Sequence, residues 1–513
     1  MNTLLNGMKN ATNYTLTENG GVTHKTTRSD LLDMFAMGAA MRNRSDEDVI
    51  LMFRKAFEEN PLYALKCLFY IRDVRGGQGE RRFFRVVIKD MASYSKATKE
   101  AIARNMQYVP EFGRWDDLYV FEGTPAEKEA FTVIKDQLAL DVQCKTPSLL
   151  AKWLKSENTS SSESRRLATK TRRYLNMTSR QYRKTLSILR ERINVLERLM
   201  SAGKWDEIEF DKIPSRAGMI YKNAFARHDL ERAKAGAQTY EAFAKDTTTK
   251  VNAKALYPYE CVHEAINLMG FGSYGASVAL DNTNRLMVNK YWDNLADYFK
   301  GQPFNGMAIV DTSGSMYGTP IEVAISLGLY CAEKAHGPFA NHFITFSSNP
   351  TFVKTDGVDF CDKVRRMGAA DWGGSTNVEA AFDLMLKVAL QNQCKQSDIP
   401  ENLIIISDME FNACVTSGPV STDRWYGYGT RVSDPDTLFE SMAKKWKTYG
   451  YEMPHLIFWN VNARQNNIPM MDNGRVSYVS GFSPSIFETI LSGKTGYDLM
   501  MEKLNTERYA CIK

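Results

Sequence analysis

Residues 304–316 read FNGMAIVDTSGSM. The apolar run Met307–Val310 is short, carries no charge and stops at a polar turn. That is the pattern of a strand buried on both faces. The same device recurs downstream. PIEVAISLGLYCAEKA (320–335), NVEAAFDLMLKVALQ (377–391) and DTLFESMAKKWKTYG (436–450) have helical apolar spacing. HFITFSS (342–348), NLIIISDME (402–410), HLIFWNV (455–461) and RVSYVSG (475–481) read as strands. Apolar strands alternating with helices require crossover connections, which predicts a mostly parallel, doubly wound sheet over residues 301–513.

The ends of these strands carry oxygen-bearing side chains. Asp311, Ser313 and Ser315 form D-x-S-x-S directly after the first strand. Thr376 lies in the Gly-rich segment DWGGSTN (371–377), and Asp408 closes IIISD (404–408). Ligands of open α/β sheets bind at the carboxyl ends of strands. Two carboxylates and three hydroxyls suit a hard cation, and the cation removes the repulsion between the carboxylates. The expected ion is Mg²⁺, with Mn²⁺ or Ca²⁺ as alternatives. The competing reading is local capping, with Asp311 closing a turn and Thr376 starting a helix. After Asp408 comes a long irregular segment, NACVTSGPVSTDRWYGYGTRVSDPD (412–436). Trp425, Tyr426 and Tyr428 give it contact surface, or it is a decorated surface loop.

Upstream the character differs. Residues 301–513 hold 18 Lys and Arg against 23 Asp and Glu, a charge of −5, whereas the whole chain of 513 residues is +5. Residues 1–300 therefore carry +10, which suggests two parts with different partners. Residues 1–28 are expected to be flexible. Ser29 and Ser45 then stand as N-cap residues before helical patterns, the second reinforced by Asp46, Glu47 and Asp48. Short amphipathic helices continue through 300 with little strand-like alternation. A helical array or solenoid over 29–300 is expected, although no regular internal period emerges. SENTSSSES (156–164) and KDTTTKVNAK (245–254) read as loops.

Three basic sets stand in this half. Residues 165–198 hold 11 Lys and Arg against two Glu, with Tyr174 and Tyr182 interleaved. Cations that neutralise phosphates and aromatics that stack on bases bind RNA. The expected contacts are Arg165, Arg166, Lys170, Arg172, Arg173, Arg180, Arg183 and Lys184. A second set is Arg72, Arg75, Arg81 and Arg82. A third is Arg216, Lys222, Arg227 and His228. Charge runs are also the mark of plain solvated faces, and Leu186, Leu189, Ile193 and Leu196 give 165–198 an ordinary core stripe. GGQGE (76–80) lacks the G-K-[ST] of a phosphate loop, so a turn with Gly76 or Gly77 at positive φ suffices.

No run approaches the roughly 20 apolar residues of a membrane helix. The polar start MNTLLNGMKN (1–10) has no secretory core, and a cytoplasmic protein is expected. The eight cysteines form no C-x-x-C pair, which predicts reduced and mostly buried thiols. Motifs of hydrolases, zinc proteases and dinucleotide enzymes are absent from the sequence, so a binding protein is expected and not an enzyme.

The five metal positions resemble the metal-ion-dependent adhesion site of the von Willebrand factor A family, over roughly 301–500. The resemblance implies a cation with one place left open for a partner's carboxylate. FYIRDVRGGQGERRFFR (69–85), Y-R-K-x-L (182–186) and P-S-R-A-G-x-x-Y (214–221) resemble the helical TROVE module of Ro-type proteins. Closer still is the Ro-like domain-of-unknown-function family 2828, which has the same two-part order. That likeness implies a monomer with a basic helical ring that takes single-stranded ends of misfolded RNA and binds structured non-coding RNA outside. The alternative is a metal-dependent protein-interaction scaffold that meets an acidic protein. A metal-dependent nuclease is a third reading.

Overall fold

The structure is a computed structural model that describes residues 12–253, 255–270, 276–346, 350–368, 377–412, 436–490 and 493–513. It divides into two compact units. The first comprises Met1–Cys67, Tyr257–Ala279 and Leu295–Thr506; the second comprises Leu68–Leu256, Leu280–Asn294 and Glu507–Lys513.

The first unit is built on six strands: β3 (Gly306–Asp311), β4 (His342–Phe346), β5 (Thr351–Lys354), β6 (Asn402–Ser407), β7 (His455–Asn460) and β8 (Val476–Ser480). Their order is β5-β4-β3-β6-β7-β8. Every pairing is parallel except β4 with β5. The sheet is mostly parallel, as expected, and compatible with a Rossmann-like fold. Strand β5 was not anticipated, because TFVK is only four residues long and no residue of it is buried.

The central strands are buried because helices cover them. Helix Thr319–Lys334 packs on β3, and Gly328 is what permits the approach: a Cβ there would meet Val310 Cγ2 at 2.5 Å. An aromatic chain runs from Phe382 through Phe439 to Phe458 and Phe411, with Phe439 centred 4.8 Å from Phe458 and 5.1 Å from Phe411. Such contacts add to simple area burial, and here they fix the segment that follows Asp408.

The boundary expected at 300/301 does not coincide with this division. Helix Asp30–Met37 belongs with the sheet, because seven of its eight residues are buried and it packs on β8. Ser480 Oγ donates to the Phe35 carbonyl at 2.9 Å and accepts from Ala39 N at 3.3 Å. The expectation of flexibility is corrected for 12–28. A hairpin of β1 (Tyr14–Leu16) and β2 (Val22–His24) lies there, with Thr23 and His24 bonded to Ile468.

The second unit is helical. Its principal helices are Arg81–Tyr94, Lys96–Asn105, Glu127–Gln143, Ser162–Tyr174, Ser179–Arg192, Ser215–Arg227 and Thr283–Asp293. Phe69 packs edge-on against both Phe84 and Phe112 at 5.3 Å. The turn at 76–80 differs from expectation in one respect: the positive φ belongs to Gly79, at 63°. Gly77 is needed for close approach instead, since a Cβ would lie 2.0 Å from the Tyr70 carbonyl oxygen.

Candidate metal centre

Asp311 ends β3, and Asp408 follows β6. The two strands are parallel neighbours, so both carboxylates arrive at the same edge of the sheet. Both side chains are buried. Asp311 Oδ1 accepts from Ser313 N at 2.9 Å, a local turn that folds the D-x-S-x-S loop back over its own strand. The Ser313 and Ser315 hydroxyls are then 3.1 Å apart. Asp311 Oδ2 accepts from Ser407 Oγ at 2.5 Å. Met409 is held at φ 66°, and its N–H bonds Ser407 Oγ at 3.0 Å. A left-handed methionine is strained, and such strain concentrates at functional sites.

Burial raises the pKa of Asp311 well above the usual carboxylate range, and the charge of Asp408 adds to the effect. Burial raises Asp408 too, against the pull of the Ser315 hydroxyl and Arg464. Among the described residues, Asp408 Oδ2 is buried without a hydrogen bond. Two crowded carboxylates, one orphaned oxygen and two adjacent hydroxyls fit a hard divalent cation, which would take oxygen donors and remove the charge repulsion. Asp311, Ser313 and Ser315 would hold it, with Asp408 direct or through water. Among the described residues no group of three or more His, Cys, Asp or Glu is placed to hold a metal; this set has two acids and relies on hydroxyls. Thr376, and the contact residues Trp425, Tyr426 and Tyr428, lie outside the described residues.

Sequence reasoning missed the polar shell of this edge. Glu410 is buried, and burial foremost pushes it up to about 7. Its carboxylate accepts from Glu18 N at 2.7 Å and Asn467 Nδ2 at 2.8 Å. Arg464 pairs with Glu18 at 2.7 Å and reaches within 4.0 Å of Asp408. Only the final residue of IIISDME pointed toward this shell.

The expected RNA contacts divide into two groups. Arg72 is fully buried, with its Nε donating to Asp117 at 2.9 Å, so it serves the core and is withdrawn as an RNA contact. Arg166 forks onto Glu122, which that hydrogen bond pulls down to about 2. Lys170 bridges Glu122 and Glu127 at 3.1 and 2.7 Å, and Arg172 pairs with Glu157 at 2.8 Å. Arg165 donates to the carbonyls of Thr159 and Ser160, and Arg75 to that of Glu111. His228 stacks on Trp205 at 3.8 Å and bonds Glu231. Arg81, Arg173, Arg180, Arg183, Lys184, Arg216 and Arg227 are exposed, while Arg82 and Lys222 are half-buried. The two tyrosines turn inward: Tyr182 is buried and donates to the Lys155 carbonyl at 2.8 Å, and Tyr174 stacks on Phe131 at 4.3 Å.

Residues 17–106 and 139–302 match the family described as domain of unknown function DUF2828. The chain belongs to the DUF2828 family. Residues 305–510 of this DUF2828 protein also match a second family, domain of unknown function DUF7788. A similar protein is "Uncharacterized protein L728" of Acanthamoeba polyphaga mimivirus, 32% identical over 523 aligned positions that cover 94% of this chain and 85% of the viral one.

Proposed function

We propose that this DUF2828 protein is a binding protein whose sheet unit is of the von Willebrand factor A type and holds a divalent cation, Mg²⁺ first, at Asp311, Ser313, Ser315, Thr376 and Asp408. The cation presents an open place to a carboxylate of an acidic ligand. The observation that carries this reading is the buried Asp311–Asp408 edge with its orphaned Asp408 Oδ2. A buried carboxylate oxygen without a donor is costly, and a cation offsets that cost. A titration of the protein with Mg²⁺ tests it. Saturable one-site binding that Asp311→Ala abolishes supports the reading; equal binding by that variant removes it.

A second activity rests on the exposed cations Arg173, Arg180, Arg183 and Lys184 of helices Ser162–Tyr174 and Ser179–Arg192. We propose RNA as their partner, through phosphate contacts on a Ro-like helical array. The salt dependence of binding to a structured RNA with a single-stranded 3′ end tests this, because phosphate contacts weaken steeply with salt. The protein is proposed to act as a cytoplasmic monomer without catalytic activity. Among the described residues no helix is long and apolar enough to cross a membrane.

A further inference from the structure

Among the described residues, Arg464 is the cation that stands at the proposed metal edge. Arg464 Nη2 pairs with Glu18 Oε2 at 2.7 Å, while its Nη1 lies 4.0 Å from Asp408 Oδ2. Arg464 and Glu18 side chains are 38% and 35% exposed, whereas that of Asp408 is fully buried. The guanidinium therefore has one arm toward the buried carboxylate and one arm, at the surface, taken by a carboxylate of the N-terminal hairpin.

The Glu18 side chain is not what ties the hairpin down. Its backbone N–H donates to Glu410 Oε2 at 2.7 Å, and Thr17 Oγ1 donates to the Phe411 carbonyl at 2.6 Å. The carboxylate is free to leave Arg464 while the main chain stays in place.

We propose that Arg464 is the second anchor for the acidic ligand of this edge, and that Glu18 occupies that anchor when no ligand is bound. The inference rests on the metal reading above. A carboxylate has two oxygens: one fills the open place on the cation, and the other takes the N–H groups of Arg464, whose planar fork suits it. The cation offsets the charge of Asp311 and Asp408, but without such an anchor an acidic ligand still meets the Glu18 carboxylate beside it, and like charges repel it. Exchange of Glu18 for the incoming carboxylate leaves the charge around Arg464 unchanged. Glu18 is tethered, so it competes at high local concentration and lowers the apparent affinity for any external acid. The edge thereby discriminates against weak or incidental carboxylates.

The full-length protein is titrated with Mn²⁺ alone, and water-proton relaxation reports the bound ion and its waters. N-acetylglutamate amide, with one side-chain carboxylate and no other charge, is then added, and a fall in relaxation enhancement reads displacement of metal-bound water. Arg464→Gln is expected to bind Mn²⁺ at least as tightly as the unaltered protein, because a nearby positive charge has gone. It is expected to bind the glutamate probe about tenfold more weakly, the size of one charge-assisted hydrogen bond. Glu18→Gln strengthens the probe by about three- to tenfold, since the tethered competitor is gone. Arg464→Lys falls between, and N-acetylglutamine amide displaces nothing. If Mn²⁺ binds but the probe is indifferent to both Arg464→Gln and Glu18→Gln, the Arg464 assignment is overturned and the metal reading stands. If the unaltered protein binds no Mn²⁺, both fall.

Discussion

Ser407 Oγ donates to Asp311 Oδ2 at 2.5 Å across neighbouring strands and accepts from Met409 N–H at 3.0 Å. One hydroxyl, on the last residue of β6, thus links a carboxylate on β3 to the strained residue that follows Asp408. It leaves the other oxygen of Asp311 turned to the D-x-S-x-S loop, where Ser313 N–H meets it. This edge of the sheet is a small network held by the strands, in which each donor fixes the next acceptor.

Asp311→Asn keeps the shape of that network and removes one of two crowded negative charges. Without metal the variant is expected to gain about 1–2 kcal/mol of stability, because burial and Asp408 both penalise the charged form of Asp311. It should also lose the stabilisation that Mg²⁺ gives the unaltered protein by binding the folded state alone. Thermal unfolding with EDTA and with excess Mg²⁺ measures both effects. A variant less stable in EDTA and still stabilised by Mg²⁺ contradicts the assignment.

Asp33 supplies a pH test away from the Asp311–Asp408 edge. Burial, the largest effect, pushes its carboxyl up to about 6 from 3.8, although Thr26 and Thr27 hydrogen bonds oppose it. The folded protein then holds a proton that the unfolded chain releases at lower pH. Stability from this group is full below about pH 4 and falls as pH rises through about 6. Asp33→Asn should remove that slope and be more stable than the unaltered chain at pH 7.5. Unfolding at pH 4.5 and 7.5 compares them; a difference between the two proteins that does not change with pH refutes the point.

Gly21 is the close-approach residue of the hairpin. A Cβ at this position would meet the Phe411 carbonyl oxygen at 2.5 Å and that of Asn412 at 2.7 Å, both backbone atoms. Gly21→Ala should therefore push the hairpin off the segment after Asp408 at a cost of about 1–3 kcal/mol. Hydrogen exchange at residues 14–24 is the measurement, and faster exchange there is expected. Unchanged protection means the backbone absorbs the methyl group.

The basic helices separate by what their cations touch. Neutralising Arg173, Arg180, Arg183 and Lys184 together should lower RNA affinity and flatten its salt dependence, by about 0.7 in log–log slope for each phosphate that is no longer neutralised. Arg72→Gln should instead destabilise the fold by about 3 kcal/mol, because it breaks the buried pair with Asp117 and leaves that carboxylate only the partly exposed Arg85 as a cationic partner. Filter binding across a salt series and chemical unfolding distinguish the two sets. A fourfold variant that binds with the unaltered salt slope rules out those cations as the RNA surface.

Much of the sheet was legible because strand burial is written in consecutive residues. GMAIVD, NLIIIS and HLIFWN needed no distant information, and the caps at Ser29 and Ser45 accept from Leu32 N and Asp48 N as expected. The hairpin was illegible, since its partners Phe411 and Ile468 lie roughly four hundred residues away and its own residues are mostly polar. The same distance hid Arg464, a lone cation in VNARQNN whose meaning comes from Glu18. In the basic half, a count of charges could not tell Arg72, paired with Asp117 across 45 positions, from Arg180, which faces solvent. Tyr182 read as an interleaved aromatic for bases, yet its helical phase puts it in line with Leu186 and Leu189, both core residues.

The most direct measurement is an anomalous-scattering map from crystals of the protein grown with Mn²⁺. A peak is expected at the β3–β6 edge, within about 2.5 Å of oxygens from Asp311, Ser313 and Ser315, the range of hard-cation coordination. Disappearance of that peak in Asp311→Ala crystals would complete the case. Saturating Mn²⁺ with no density at this edge, or a peak only elsewhere in the chain, contradicts it.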